Sequence, residues 1–216
     1  MIKHTRDVFS ILEVPTAPPS FDDILKFIYE DRDRLTYDIS NKSQTGTFER
    51  GLHGTTSYYD MNLFQEKRYF PLMKHIMGAI YQTYRQFSPV DFNALQAWWT
   101  VYEKGAFIPR HTHSNSMISG AYYLRQPQGA GPIKFFNPIG PLINHFYHPD
   151  LIFQVAADID IEPRTGTLLL FPGWLEHETQ ANQSDEDKII VSFNLTLKET
   201  NQTNFSARES YSSYGE

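Results

Sequence analysis

Two histidines separated by one residue, His111 and His113 in PRHTHSN, are the side chains of this sequence whose spacing most readily does chemistry. In a strand, residues two apart face the same side, so the HTH run sets two imidazoles together without strain. Neutral imidazole binds Fe, Zn, Cu or Ni, and two such ligands on one rigid strand begin a site. His177, which follows the run TLLLFPGWLE, sits after a strand and a tight turn, where a distant segment of a closed sheet can return to the first pair. Three histidines would hold a divalent metal with positions open for water, substrate or oxygen. A mononuclear oxygenase centre usually has two histidines and one carboxylate. Here no acid occurs at 113 or just after it, and Glu176 and Glu178, flanking His177, point away from its face on an extended backbone. Asn115 continues the phase of the pair; it reads as a weak amide ligand, a substrate contact or an Asx turn before Ser116. The other five histidines, His4, His53, His75, His145 and His148, form no constellation and read as surface or hydrogen-bonded residues.

A chain of 216 residues is one domain's worth, and 40% apolar with 20% charged residues is a globular composition. A formal charge of -6 argues against a nucleic-acid partner, because phosphate binding needs concentrated positive surface. With no cysteine, disulfides, thiolate metal sites and cysteine nucleophiles are excluded. No run has signal-peptide or membrane-span length, so a cytoplasmic protein with no membrane partner is expected. Residues 7–15 read as a strand stopped by prolines, and Phe21, Ile24, Leu25 and Ile28 recur at helical spacing. The polar stretch 38–57 reads as a long loop or a pair of edge strands. A second helical tract spans about 61–87, divided by Pro71 near Phe70, and 91–104 is helical or extended, with Leu95, Trp98 and Trp99 as core bulk. Past Gly105 the chain breaks into short apolar or alternating runs between Gly, Pro, Asn and acidic turns, the pattern of an antiparallel sandwich or small barrel. Dinucleotide and phosphate loops are absent. The expected organisation is a single domain over 1–216, with N-terminal helical support to about 100, a β core over about 101–200 and a polar tail from 202.

The blocks HTHSNSMISGAYYL, GPIKFFNP, TGTLLLFPGWLEHET and DKIIVSFNL, in that order and spacing, resemble a family of 2-oxoglutarate- and Fe(II)-dependent oxygenases of bacteria and their phages, in the prolyl-hydroxylase-like branch. The clearest likeness covers residues 107–197, with SQTGTFERGLHGTTS as a weaker upstream block. The resemblance implies a mainly β fold with flanking helices, the double-stranded β-helix or jelly roll. It implies Fe(II) as cofactor, 2-oxoglutarate and molecular oxygen as cosubstrates, and hydroxylation of a protein, peptide or small-molecule C–H bond. His111 and His177 look like the first and last iron ligands. His113 falls where the wider superfamily has Asp or Glu, although histidine is usual in the narrower family. It therefore ligates, hydrogen-bonds a metal-bound water, or takes the first-ligand role from His111. Lys188 stands where the superfamily commonly has an arginine clamping the far carboxylate of 2-oxoglutarate; lysine supplies the charge but not the planar fork. Tyr123 or Tyr122 would assist with a hydroxyl, Ser192 and Asn194 share the strand phase of Lys188, and Lys134 is an alternative cationic anchor.

Two other readings fit the same residues. GAFIPRHTH and FPGWLEH have cupin-like spacing, which implies a metal enzyme working without 2-oxoglutarate, although the downstream glutamate of a cupin is missing. The third reading is a jelly-roll binding or structural protein in which the histidines pack rather than ligate.

Overall fold

Strands β4 to β11 shuttle between two facing sheets, and that alternation generates the architecture. The computed structural model describes residues 1–6, 9–17, 19–34, 54–85, 91–140 and 158–198. In chain order the strands are β1 (Ile2–Arg6), β2 (Phe9–Pro15), β3 (Thr55–Thr56), β4 (Phe92–Tyr102), β5 (Ile108–His111), β6 (Ile118–Arg125), β7 (Ile133–Phe135), β8 (Ile159–Ile161), β9 (Thr167–Pro172), β10 (His177–Thr179) and β11 (Lys188–Leu197). Two helices, α1 (Asp22–Arg34) and α2 (Phe70–Tyr84), join them. The larger sheet runs β1-β2-β9-β6-β11-β4-β3 and the smaller β5-β10-β7-β8, with every pairing antiparallel. From β4 onward the chain passes large, small, large, small, small, large, small, large, which is the winding of a double-stranded β-helix. The expected jelly roll is the observed fold.

The sequence of the large sheet follows from burial on both faces. On β9, Leu168 and Leu170 pack with the helices, whereas Leu169 and Phe171 pack between the sheets. On β11, Ile189, Val191, Phe193 and Leu195 face the helices. A strand covered on both sides reads as a continuous apolar run rather than an alternating one, which is why TLLLF carries no period of two. The helices supply the outer cover through Ile24 and Ile28 of α1 and Leu72, Ile76 and Ile80 of α2. Each such fully buried side chain contributes about 1.5–3 kcal/mol of burial.

The N-terminal half differs from its expected role as helical support. It adds β1, β2 and β3 to the large sheet, and β4 belongs to that sheet along its whole length. Pro71 lies in the first turn of α2, where its missing N–H costs nothing, so it starts the helix rather than dividing one. Leu95, expected in the core, is an exposed residue of β4. His53, His145, His148, residues 38–53 of the polar stretch and the tail from 202 lie outside the described residues. His4 pairs with Glu13 at 2.8 Å and His75 with Thr16 at 3.1 Å, both satisfied within the fold.

Candidate metal centre

The small sheet brings the histidines together. His111 ends β5 and His177 opens β10, and the two are register partners across the antiparallel pair. His113 follows in a turn whose backbone is fixed by its own N–H to the Gly173 carbonyl at 2.8 Å. That turn needs glycine at 173, because a Cβ there would lie 2.3 Å from the Ser116 carbonyl oxygen. The FPG run thus lets the turn before His177 press against the turn after His113. Asn115 has φ of 61°, the left-handed conformation of a tight turn, and is exposed, so it closes this turn instead of joining the histidines.

Nitrogen atoms from His111, His113 and His177 all lie within 4.8 Å of one another. His113 and His177 are parallel, at 2° between planes, with Nε2 facing Nε2 at 3.3 Å. The other nitrogens of two rings are occupied. Nδ1 of His111 is 2.8 Å from the Pro109 carbonyl and Nδ1 of His177 is 2.8 Å from the Leu175 carbonyl. A carbonyl only accepts, so each ring carries its proton on Nδ1 and its lone pair on Nε2. Burial drives the pKa of all three rings down. His111 is lowered by burial against the opposing pull of the Pro109 carbonyl, and His113 falls to about 4 by burial and then by the charge of His111. His177 is lowered well below the usual range by burial, then by His111 and His113. Three neutral imidazoles aimed at one point suit a divalent cation of the Fe(II) to Zn(II) series. The 3.3 Å between Nε2 of His113 and Nε2 of His177 is close to the roughly 3 Å between neighbouring ligands at metal–nitrogen distances near 2.1 Å. The donor set fits a metal, with no carboxylate in it among the described residues. Glu176 is turned outward to pair with Arg110, and Glu178 accepts from Gln180 at 2.8 Å.

The histidines open on a cavity of about 660 Å³ between the sheets. One wall is β4, where Trp98, Thr100 and Tyr102 share a phase and face inward. Tyr123, Ser192 and Asn194 also line it. Tyr122 and Lys134 do not. Tyr122 is edge-on to His75 and Phe21 on the helix side, and Lys134 lies 3.8 Å from Asp160 on β7, out of phase with the inward Ile133 and Phe135. Lys188 is buried at 1% exposure, yet it is not part of the cavity wall. Its Nζ donates to the Ala130 and Gln180 carbonyls at 2.9 and 3.1 Å and lies 4.9 Å from the Tyr102 ring centroid. Among the described residues no carboxylate pairs with it, and burial lowers its pKa to about 8. Beside Tyr102, the Tyr123 hydroxyl has no hydrogen-bond partner among the described residues, and burial holds its pKa well above the phenol range. Buried polar groups left like this await an acceptor, and an anionic cosubstrate is one.

Trp98 and Tyr102 were the residues sequence reasoning missed here. The signal is the two-residue phase Trp98, Thr100, Tyr102 against Trp99, Val101, legible only once 92–102 is known to be extended.

Residues 96–194 match a family model described as "Putative 2OG-Fe(II) oxygenase". No curated protein matches significantly. Among solved structures, the non-heme alpha ketoglutarate dependent epimerase SnoN from nogalamycin biosynthesis aligns at 12% identity and TM-score 0.54, over 86% of this chain and 78% of that one. A prolyl-4-hydroxylase from Pseudomonas putida aligns at 18% identity and TM-score 0.49, over 88% and 94%. An oxidoreductase of the 2OG-Fe(II) oxygenase family from Burkholderia pseudomallei aligns at 12% identity and TM-score 0.41 over 62% of this chain, which spans only 54% of that protein. The SnoN likeness bears on the fold, and the family match falls on the strands that carry the histidines. Over residues 96–194, the strands of the jelly-roll core, the chain is similar to the 2OG-Fe(II) oxygenase family model, and with SnoN it shares the fold.

Proposed function

We propose that the chain is a cytoplasmic Fe(II)- and 2-oxoglutarate-dependent oxygenase that hydroxylates a C–H bond of a protein, peptide or small molecule. The observation that carries this reading is the convergence of three neutral histidines on one point of a cavity. The buried, carboxylate-free cation at Lys188 supports the 2-oxo acid part. When bound, Fe(II) and 2-oxoglutarate supply oxidation by O2, with succinate and CO2 as coproducts and an oxygen atom for the substrate.

The protein's own residues do the rest. His111, His113 and His177 would hold the metal, and the carbonyls of Pro109 and Leu175 keep the protons of His111 and His177 on Nδ1 so that their Nε2 lone pairs are free. Tyr123 would hold the outer carboxylate from the cavity wall, with the charge of Lys188 behind the wall beside Tyr102. Trp98, stacked on His113, and Phe171, edge-on to His177, exclude water from the inner side of the rings.

Anaerobic titration of the apo-protein with Fe(II) and then 2-oxoglutarate tests the reading. A charge-transfer band that needs both additions supports it. Metal binding without that band selects the rival, a cupin-like metal enzyme not using 2-oxoglutarate, which the all-imidazole donor set and the position of Lys188 off the cavity wall favour. No metal binding selects a non-enzymatic jelly-roll protein.

A further inference from the structure

A line of aromatic rings leads from solvent to the histidines. Tyr59, Tyr58 and Trp98 all line the cavity, and their exposure falls in that order, 59%, 38% and 8%. The centroids of Tyr59 and Tyr58 lie 4.8 Å apart with the planes at 87°, and those of Tyr58 and Trp98 4.8 Å apart at 84°. Trp98 in turn stacks on His113, at 5.8 Å and 29°. The two tyrosines stand on the turn after β3, and that turn is tied to β4. The Ser57 N–H donates to the Trp99 carbonyl at 3.0 Å, and the Gln96 side-chain amide donates to the Tyr58 carbonyl at 2.8 Å. Rings held in place this way lose little freedom when a ligand packs on them. Beside Trp98 the cavity floor is low. Ser192 on β11 is the register partner of Trp98 on one side and of Ala121 of β6 on the other, and all three line the cavity. A hydroxymethyl and a methyl next to an indole leave room for a further ring.

We propose that Tyr58, Tyr59 and Trp98, with the floor of Ser192 and Ala121, form the substrate subsite, and that it takes an uncharged aromatic ring carried by a small molecule or by a peptide side chain. The proposal deepens the oxygenase reading and rests on it for the reaction, though not for the binding. Tyrosine and tryptophan rings meet another ring edge-to-face or offset, and such contacts add to the gain from burial alone. The same faces also attract cations. Here a cation would lack a counter-charge, because among the described residues no carboxylate lines the cavity and its one charged side chain, Arg110, is paired with Glu176. A divalent metal on the histidines would raise that cost further. An uncharged ring meets neither penalty, and a cavity of about 660 Å³ is of the size that holds one.

Ligand-observed NMR titration of the full chain without metal tests the ring site. The planar probe 2-naphthylmethanol should bind roughly fivefold more tightly than its saturated counterpart, decahydro-2-naphthylmethanol. Tyr58→Leu should weaken the planar probe by roughly fivefold and Trp98→Leu by roughly tenfold. Ser192→Leu raises the floor and should weaken it too, with Co(II) affinity by calorimetry unchanged. Tyr58 lies on an exposed turn, so its variant carries the test even where Trp98→Leu does not fold. In the Zn(II)-loaded chain, the trimethylammonium analogue of the same ring should bind more weakly than the alcohol. A tripeptide blocked at both ends, with a central tryptophan, distinguishes the sources: binding of either ligand supports the ring site, and the tighter one names the carrier. Equal affinities for the planar and saturated alcohols, unaltered binding in both Tyr58→Leu and Ser192→Leu, or tighter binding of the ammonium analogue would overturn the proposal. A chain that takes the ring but shows no charge-transfer band with Fe(II) and 2-oxoglutarate keeps the ring site and loses the oxygenase reading. A chain with the band and no preference for the planar probe does the reverse.

Discussion

The two ends of the cavity solve opposite electrostatic problems. At one end three neutral histidines meet, His177 fully buried, and the protons of His111 and His177 sit on backbone carbonyls with their Nε2 lone pairs turned to the cluster. That end lacks positive charge and is shaped to receive it. At the other end Tyr102 and Tyr123 line the wall, the Tyr123 hydroxyl with no partner among the described residues, and Lys188 is buried behind Tyr102 on two backbone carbonyls. That end lacks an acceptor. On the proposed reading the two ends would take a metal and a small dianion, and β11 runs between them, with Asn194 on the wall near one and Lys188 behind the wall near the other. The difference teaches that the two halves of such a site can be removed separately.

The largest expected effect is at the histidine end. His177→Ala removes the most buried of the three rings and should abolish measurable Fe(II) or Co(II) binding by calorimetry, a loss of more than roughly 100-fold. Its apo stability should change far less, since a neutral ring is replaced and no buried charge is orphaned. Retained tight binding would mean the metal sits elsewhere. At the lysine end, Lys188→Met should leave metal affinity within about threefold and weaken 2-oxoglutarate binding to the metal-loaded protein by roughly 100-fold, the effect of losing a buried charge-assisted contact. Equal losses of metal and cosubstrate would erase the distinction between the ends.

These two ends were not equally legible in the sequence. His111 and His113 declare themselves by a spacing that any strand converts into a shared face, and the motif around His177 adds a turn whose glycine is required by the Ser116 carbonyl. Lys188 is one lysine after an acidic turn, and nothing local says that it is buried; that follows from its pairing with Tyr102 across β4 and β11. Tyr122 and Tyr123 must face opposite sides of β6, but which one faces the cavity depends on the placement of the small sheet. The jelly roll could be read from punctuated short strands after Gly105. The strands β1 and β2 could not be assigned to the same sheet, because β9, the partner of β2, lies about 150 residues away and is covered on both faces, which removes the alternation that marks a sheet edge.

The pH dependence of the apo-protein sharpens the comparison. Lys188 titrates near 8 in the fold and near 10.5 when exposed. Between those values the unfolded chain binds a proton that the folded chain does not, so stability rises with pH across that window. Below about 8 both states are protonated and burial of the charge costs on the order of 3 kcal/mol. The difference in unfolding free energy between the parent and Lys188→Met should therefore narrow from pH 7.5 towards pH 9.5, with the variant more stable at neutral pH. A constant difference would mean that Lys188 keeps its ordinary pKa. Saturating metal and 2-oxoglutarate should also flatten the dependence, because an anion beside Lys188 restores the charged form.

The smallest effect is the most specific one. Tyr123→Phe deletes a hydroxyl that has no partner and changes nothing else in the wall. Removing an unsatisfied buried group should stabilise the apo-protein by about 1 kcal/mol. The same change should weaken 2-oxoglutarate binding by roughly fivefold, a neutral hydrogen bond's worth. Stability and affinity would then move in opposite directions, a signature that a packing residue does not give. Thermal unfolding of apo-protein and a cosubstrate titration on the same preparation decide it. A destabilised variant would show that the hydroxyl has a partner in solution, and the anionic end of the cavity would then rest on Lys188 alone.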